Sequence, residues 1–427
     1  MRSNGLSVSQ GTALTVAAVL GTGVISLPAL AFDEAGPASL VAWLALVLLS
    51  IPLAATFAAL GVRHADSGGV STYVRLAFGP RAAGVVGWCF YFSIPLGAIP
   101  ACSFAADYVA DTLSGGRTMR LATIAVLLAV VAAMNAFGVR VSGRVQLVLC
   151  CVLAGLLLAA TLAAAPHAHL GNATPFAPHG WTAIGPAAAV LVWGFVGWEA
   201  VTSLSADYRD PTHDLPRATG LAVVVVGVLY LGVAAMTVFV LGPSAGHSAA
   251  PLADLMVIGL GPHARWVTTV VAVLLTIGTV NAYFAGGAKL GSALGRDGSL
   301  PRWFARGSAS GEVPRRSLAV LVSLTAVSLL AYAGFDLGAK SVVLLITGAF
   351  TLVYVLATAA AVRLLPRHSW ARVAGLVSLA CSVVLLLLTG VHLLWGVAVA
   401  VAALVYETVA ARSRKLAHAP EPVPCEP

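Results

Sequence analysis

Long apolar stretches separated by short clusters of arginine, glycine and proline dominate the chain. A helix needs roughly 20 residues, at 1.5 Å each, to cross about 30 Å of hydrocarbon. Runs of that length lie near 9–31, 38–61, 83–110, 119–138, 144–165, 182–206, 217–241, 266–294, 317–334, 340–362, 372–390 and 393–411. The pattern predicts an all-α membrane protein of twelve transmembrane helices. The last two lie so close, around Gly390-Val391-His392, that they read as a helical hairpin.

Composition agrees. Of 427 residues 59% are hydrophobic and 9% charged, and mean hydropathy is +0.95. A soluble globule carries roughly 25% charge, so this chain lacks the polar skin that water demands. The net charge of +8 invites a nucleic-acid reading. Yet the basic residues are scattered between apolar runs, where they serve as topology determinants, and no nucleic-acid partner is expected. The cysteines give no disulfide framework and no CxxC spacing. Arg2, the first apolar run and Ala29-Leu30-Ala31 imitate a signal peptide. The single charge before the run, with Gly21, Gly23 and Pro28 inside it, favours a mature first helix instead.

Basic residues favour the cytoplasmic side of a membrane. With the N-terminus inside, nineteen fall in cytoplasmic segments and four, Arg117, Arg120, Arg265 and Lys340, outside; Lys289 lies within a span. Both termini are therefore expected in the cytoplasm. The outer loop near 166–181 carries His167, His169 and His179. It reads as solvated rather than metal-binding, since no cysteine or carboxylate lies nearby. No metal or cofactor is expected.

Glycine and proline inside a span signal backbone that lines protein or water, because lipid cannot satisfy freed N–H and C=O groups. The first span contains Gly21-Thr22-Gly23-Val24-Ile25-Ser26-Leu27-Pro28, and the sixth contains Trp193-Gly194-Phe195-Val196-Gly197-Trp198-Glu199. Five crossings separate them, so they run in opposite directions. Two interrupted helices at matching positions point to an inverted-repeat transporter. Freed N–H groups suit a carboxylate, and freed carbonyls suit an ammonium or cation. A zwitterion fits both.

Glu199 alone among the acidic residues lies deep in a span. Such a carboxyl is either functional or held protonated. It reads equally as a proton carrier or as a tie to the unwound backbone of the first span. Lys289, seven residues from Arg296, can snorkel to the interface. Thr279 and Asn281 are candidate cavity groups or helix ties. Trp193 and Phe195 could wall a pocket, while Trp198 is expected to pack on a neighbouring helix.

These motifs resemble the amino acid–polyamine–organocation (APC) transporter family. Leu20-Gly21-Thr22-Gly23-Val24 is similar to its carboxylate-binding glycine motif. Ser67-Gly68-Gly69-Val70-Ser71-Thr72-Tyr73 to Phe78-Gly79-Pro80 is similar to its loop after span two. Trp193 through Glu199 resembles its W-x-F-x-G-x-E run. Asp207-Tyr208-Arg209-Asp210-Pro211 to Leu215-Pro216-Arg217-Ala218 resembles its E-x-K-N-P…P-R-A, and Arg296-Asp297-Gly298-Ser299-Leu300-Pro301 its R-D-G-x-L-P. Within the family, Gly87-Trp88 through Ile94-Pro95-Leu96-Gly97 resembles bacterial exporters of methionine and branched-chain amino acids.

The resemblance implies a LeuT-like five-plus-five inverted repeat, about 9–165 and 182–362. Two further helices at 372–411 and a cytoplasmic tail at 412–427 would follow, all in the cell (inner) membrane. It implies a permease for neutral, hydrophobic amino acids, possible coupling to protons, and no enzymatic role. It puts substrate carboxylate near Gly21, Thr22 and Gly23. Substrate ammonium would lie near the carbonyls of Phe195, Val196 and Gly197, with Trp193 as a cavity aromatic and Glu199 as a polar or protonatable partner. The chain departs from the pattern at Asp207 and Asp210. It also has no lysine in span five and no clear hydroxyl pair in span eight, which leaves the coupling ion open. Another amine or polyamine is the alternative substrate. A membrane-embedded enzyme would need paired carboxylates or a histidine cluster, and a sensor would need larger soluble segments.

Overall fold

A computed structural model describes residues 6–64, 69–138, 143–199, 201–202, 205–305 and 313–417. Ser67 and Gly68 of the loop motif, Arg2, Arg140, Arg306 and the tail beyond 417 lie outside the described residues. Among those described there is no strand, and ten helical stretches are long and apolar enough to cross a membrane. Before their interruptions the predicted first and sixth spans appear only as the shorter apolar helices Val8–Val19 and Trp181–Phe195, while Leu27 onward runs into the 37-residue stretch Leu27–Arg63.

The first span is α1 (Val8–Val19), a short 3₁₀ turn at Thr22–Ile25, and α2 (Leu27–Ala35). A capping box starts α1: the Ser7 hydroxyl accepts from the Gln10 N–H, and the Gln10 side chain accepts from the Ser7 N–H. Pro28 sits in the first turn of α2, where a missing N–H costs nothing. It therefore starts the second half rather than breaking the first. Next come α3 (Ser39–Arg63), α4 (Val70–Phe78), α5 (Pro80–Thr112), α6 (Arg117–Ala136) and α7 (Gly143–Ala164). The sixth span is α8 (Ile184–Leu191), a 3₁₀ turn at Val192–Phe195 and a non-helical turn over 196–199. It leads to α9 (Pro211–Met236), α10 (Pro251–Leu260), α11 (Ala264–Asp297), α12 (Arg315–Gly334), α13 (Ala339–Leu364), α14 (Trp370–Leu388) and α15 (Leu393–Ala417).

The helix that the sequence pattern leaves as loop, α4, buries Val70, Tyr73, Val74 and Ala77. That i, i+3, i+4, i+7 stripe packs it onto α5 and α13. The central scaffold is α5, packed on α6, α11, α13 and α15, while α9 packs on α1 and α3. Outward faces remain apolar: Val126, Val224, Leu330 and Leu387 are exposed. In water such faces would aggregate, whereas in lipid they meet their solvent. The protein is a multi-pass membrane protein.

The four basic residues on the sparsely charged side are all paired. Arg117 meets Asp336 at 3.0 Å, Arg120 meets Asp107, Arg265 meets Asp111 and Asp254, and Lys340 meets Asp33 and Glu34. Asp107 is therefore a second acid withdrawn from solvent, its side chain 13% exposed. On the other side, Gly298 closes α11 in the left-handed conformation at φ 78°, the αL C-cap that glycine favours. The turn it makes sets Asp297 against Arg75 at 2.8 Å, the Ser299 carbonyl under the Trp88 indole N–H at 2.6 Å, and the Ser299 hydroxyl on Glu407 at 2.9 Å. The Arg296–Pro301 motif is thus a clasp joining α4, α5, α11 and α15.

Asp210 caps α9 by accepting from the Thr212 N–H at 3.1 Å. Hydrogen bonds from the Thr212 hydroxyl and His213 hold its carboxyl at about 2. Aspartate and asparagine serve equally at this position, so the departure at Asp210 keeps the capping function. Asp207 is exposed, and its carbonyl accepts from the Leu6 N–H at 2.8 Å.

Candidate functional site

The two interruptions face each other. At the first, α1 ends at Val19 and Gly21 adopts an extended conformation before the 3₁₀ turn begins. At the second, Gly197 has φ +129°, a value L side chains rarely adopt, and a Cβ there would run into the backbone of Ala18. Only glycine lets the sixth span's turn lie against the end of α1.

Two tyrosines serve the freed backbone groups. The Tyr230 hydroxyl of α9 lies 3.0 Å from the Val19 carbonyl oxygen and 2.8 Å from that of Gly194, so one O–H is shared between the two breaks. Its ring is fixed edge-on against Trp43 and Phe195. The Tyr354 hydroxyl of α13 donates to Glu199 Oε2 at 2.6 Å. The Gly197 N–H donates to the same oxygen at 2.9 Å and approaches the Tyr354 hydroxyl at 3.3 Å. Glu199 is thus tied to the sixth span's own turn and to α13, rather than to the first span.

Between the breaks lies a cavity of about 440 Å³. Gly21, Thr22, Gly23, Trp193, Val196, Gly197 and Glu199 all line it. Phe195 does not: its side chain is 5% exposed and turned onto Trp43 and Tyr230. Its carbonyl faces the Tyr354 hydroxyl at 3.4 Å. An interrupted turn has no helical periodicity from which to read a facing side chain, so the expected aromatic wall at Phe195 is corrected to Trp193 alone. Trp198 is fully buried. Thr279 lines the cavity, whereas Asn281 accepts from the Asn135 amide at 2.7 Å and ties α11 to α6. Ser93, Gln146 and Tyr283 add to the polar lining, and among the described residues Glu199 is the only ionisable carboxyl or basic side chain in it. Leu14 of α1 and Gln146 of α7 also line the cavity.

The Trp193 indole spans the cavity. A Cβ on Gly23 would stand 2.6 Å from Trp193 Cδ1 and 3.1 Å from Nε1, whereas one on Gly97 would stand 3.4 Å from Cη2. The polar edge of the ring therefore meets the first break and its benzo edge meets α5.

The model of the family described as amino acid permease matches residues 6–412. The chain belongs to the amino acid permease family. This permease is 31% identical to YecA of Bacillus subtilis, an amino acid permease of uncharacterized function, over 96% of its own length and 97% of the relative's. It is 31% identical to YjeH of Escherichia coli, an L-methionine/branched-chain amino acid exporter, with 84% and 86% covered. It is 26% identical to the putrescine transporter PotE of Escherichia coli, with 54% of each chain covered. Family and relatives are transporters, not enzymes, and the permease is an amino acid transporter by family.

Tyr230 and Tyr354 escape sequence reasoning. Each lies in an apolar span where a tyrosine resembles any packing residue, and no short motif contains it. The one available signal is an accounting question, namely which side chains satisfy the carbonyls and N–H groups that the breaks release.

Proposed function

We propose that this permease is a secondary active transporter of neutral amino acids with apolar side chains, such as methionine and the branched-chain amino acids, working by alternating access. The observation that carries the proposal is the pair of opposed helix breaks around one cavity in which, among the described residues, Glu199 is the sole acidic or basic lining residue. A zwitterion brings its own balanced charge to such a site. Its carboxylate would lie by Gly21, Thr22 and Gly23 and meet the N–H groups that a helical turn leaves at its start, at Thr22 and Gly23; the Gly21 N–H itself donates to the Val19 carbonyl at 2.7 Å. Its ammonium would meet carbonyls released at Phe195, Val196 and Gly197. Trp193 would lie beside both.

The reading includes twelve spans in the cell membrane, with repeats at about 9–165 and 182–362, two added helices, and both termini in the cytoplasm. The pairing of all four minority-side cations supports that orientation, since each is neutralised locally. Glu199, hydrogen-bonded to the Gly197 N–H at a break, would carry a proton between states. The exporter among the relatives supports net export. A diamine is disfavoured, because a dication would need acids at both ends and the cavity lining has one.

Counterflow in proteoliposomes, with a panel of amino acids and with or without a proton gradient, tests this. Methionine, leucine and isoleucine should exchange, and a proton gradient should change the rate. Putrescine exchange without amino acid exchange would overturn it.

A further inference from the structure

Lys289 lies within the span of α11 and yet is exposed. The four cations of the sparsely charged side are each held by an acid. Among the described residues no acid pairs with Lys289, nor with the exposed Arg315. Lys289 lines a recess of about 20 Å³ with Asn135 and Gly138 where α6 ends, Ala285 and Ala288 of α11, and Pro314 where α12 begins. That space admits one oxygen-sized group, since roughly 10–15 Å³ holds a water. The three helices pack on one another. The recess shares no lining residue with the central cavity.

The helix ends give the depth of the recess. At its level α6 stops and α12 starts, whereas α11 continues for another eight residues, about 12 Å along its axis. The polar fringe of the bundle lies there too. Arg315 and Arg316 open α12, and the Arg316 guanidinium lies 5.2 Å from the centre of the Trp303 ring, itself 46% exposed. Tryptophan and basic residues together mark the boundary between hydrocarbon and headgroups. On the membrane side of that fringe the outward faces are apolar, with Val126 and Val130 of α6 and Val327 of α12 exposed. A soluble anion could use the two positive charges but not these faces. A molecule with an anionic head and hydrocarbon tails uses both. Basic recesses between helix ends are the form that headgroup sites take. We propose that this recess holds one anionic phospholipid, with its phosphate on the Lys289 ammonium beside Arg315 and its acyl chains along α6 and α12. A lysine that only snorkels would show no preference among lipids beyond that of any other surface charge.

The test counts bound lipid on the full chain by native mass spectrometry. Delipidated protein in detergent is titrated with dioleoylphosphatidylglycerol or with dioleoylphosphatidylcholine. One phosphatidylglycerol should bind each chain at least about fivefold more tightly than phosphatidylcholine, the factor that one basic residue near anionic lipid supplies. Lys289→Gln should remove the preference and Lys289→Arg should keep it. Arg367→Gln, an exposed charge between α13 and α14, should leave it unchanged. Glycerol 1-phosphate at equal concentration should displace no lipid. Equal binding of the two lipids, or a preference that survives Lys289→Gln, overturns the site. Equal losses in Lys289→Gln and Arg367→Gln also overturn it, because the attraction would then be spread over the surface. Displacement by glycerol 1-phosphate would make the occupant a soluble anion and overturn the lipid assignment. Should Lys289→Gln not fold, Arg315→Gln decides, and an undiminished preference there overturns the site. The lipid count needs no transported substrate, so its outcome is independent of the transport reading.

Discussion

Gly21→Ala separates the substrate site from the fold. Gly21 lies on the cavity wall with φ −84° and ψ −169°, an extended conformation open to any L residue. The nearest heavy atom to a Cβ built there is the Val19 carbonyl oxygen at 4.0 Å. The added methyl group therefore overlaps nothing and occupies cavity space. Stability should hold, or rise by about 0.4–1 kcal/mol through the unfolded chain's lost freedom. The effect on substrate should be opposite. A carboxylate oxygen must come within about 2.7–3.2 Å of an N–H, and a methyl group beside the 3₁₀ turn holds it off. Losing one charge-assisted bond costs about 1.5–3 kcal/mol, so KM for L-methionine counterflow should rise roughly ten- to hundredfold. Thermal unfolding in detergent, followed by size exclusion, reports the first quantity and counterflow the second. A folded variant whose KM stays within about twofold of wild type would place the carboxylate elsewhere and refute the reasoning. Gly23 is a poorer probe, since a Cβ there lies 2.6 Å from Trp193 Cδ1 and 2.9 Å from Leu27 Cδ1. Gly23→Leu would mix packing damage with site damage.

The helices with regular apolar length, and the two breaks, were legible because glycine and proline act on the backbone locally. What each break faces was not legible. Gly197 needs glycine partly because the backbone of Ala18 lies against it, and no local pattern announces a neighbour so distant in sequence. Tyr354 and Glu199 are 155 residues apart. Short pieces, the amphipathic α4 and the apolar α10, fall below the length that a membrane-span search detects. Asp107 reads as an outer-end residue by position, yet its carboxyl is largely withdrawn, a situation that only Arg120 across a turn makes tolerable. Trp193 and Phe195, two residues apart, looked equivalent. The turn sends one into the cavity and the other onto Tyr230.

Gly197→Ala meets both a left-handed φ and the Ala18 backbone, so detergent melting should show a loss of at least about 2 kcal/mol; an unchanged melt would contradict the close approach of the two breaks. Arg120→Ala strands the Asp107 carboxyl, and because Arg120 is itself half exposed the loss should be only about 1–2 kcal/mol. Adding Asp107→Asn should recover most of it, and additive losses would argue against the pair. Tyr354→Phe keeps the ring contact with Phe57 but removes the hydroxyl from Glu199 and Gly197, a cost of about 1–3 kcal/mol that should lower turnover more than it raises KM; the reverse pattern would make Tyr354 a substrate contact. Glu199→Gln discriminates the two roles of that carboxyl, because both hydrogen bonds with Tyr354 and Gly197 fall on Oε2. A glutamine carbonyl oxygen can accept the same two bonds, so a residue that serves only as a tie should tolerate the change with flux and pH profile intact. A proton carrier cannot, since an amide neither gains nor loses a proton in this range: flux should persist under exchange while its pH dependence and its response to a proton gradient disappear.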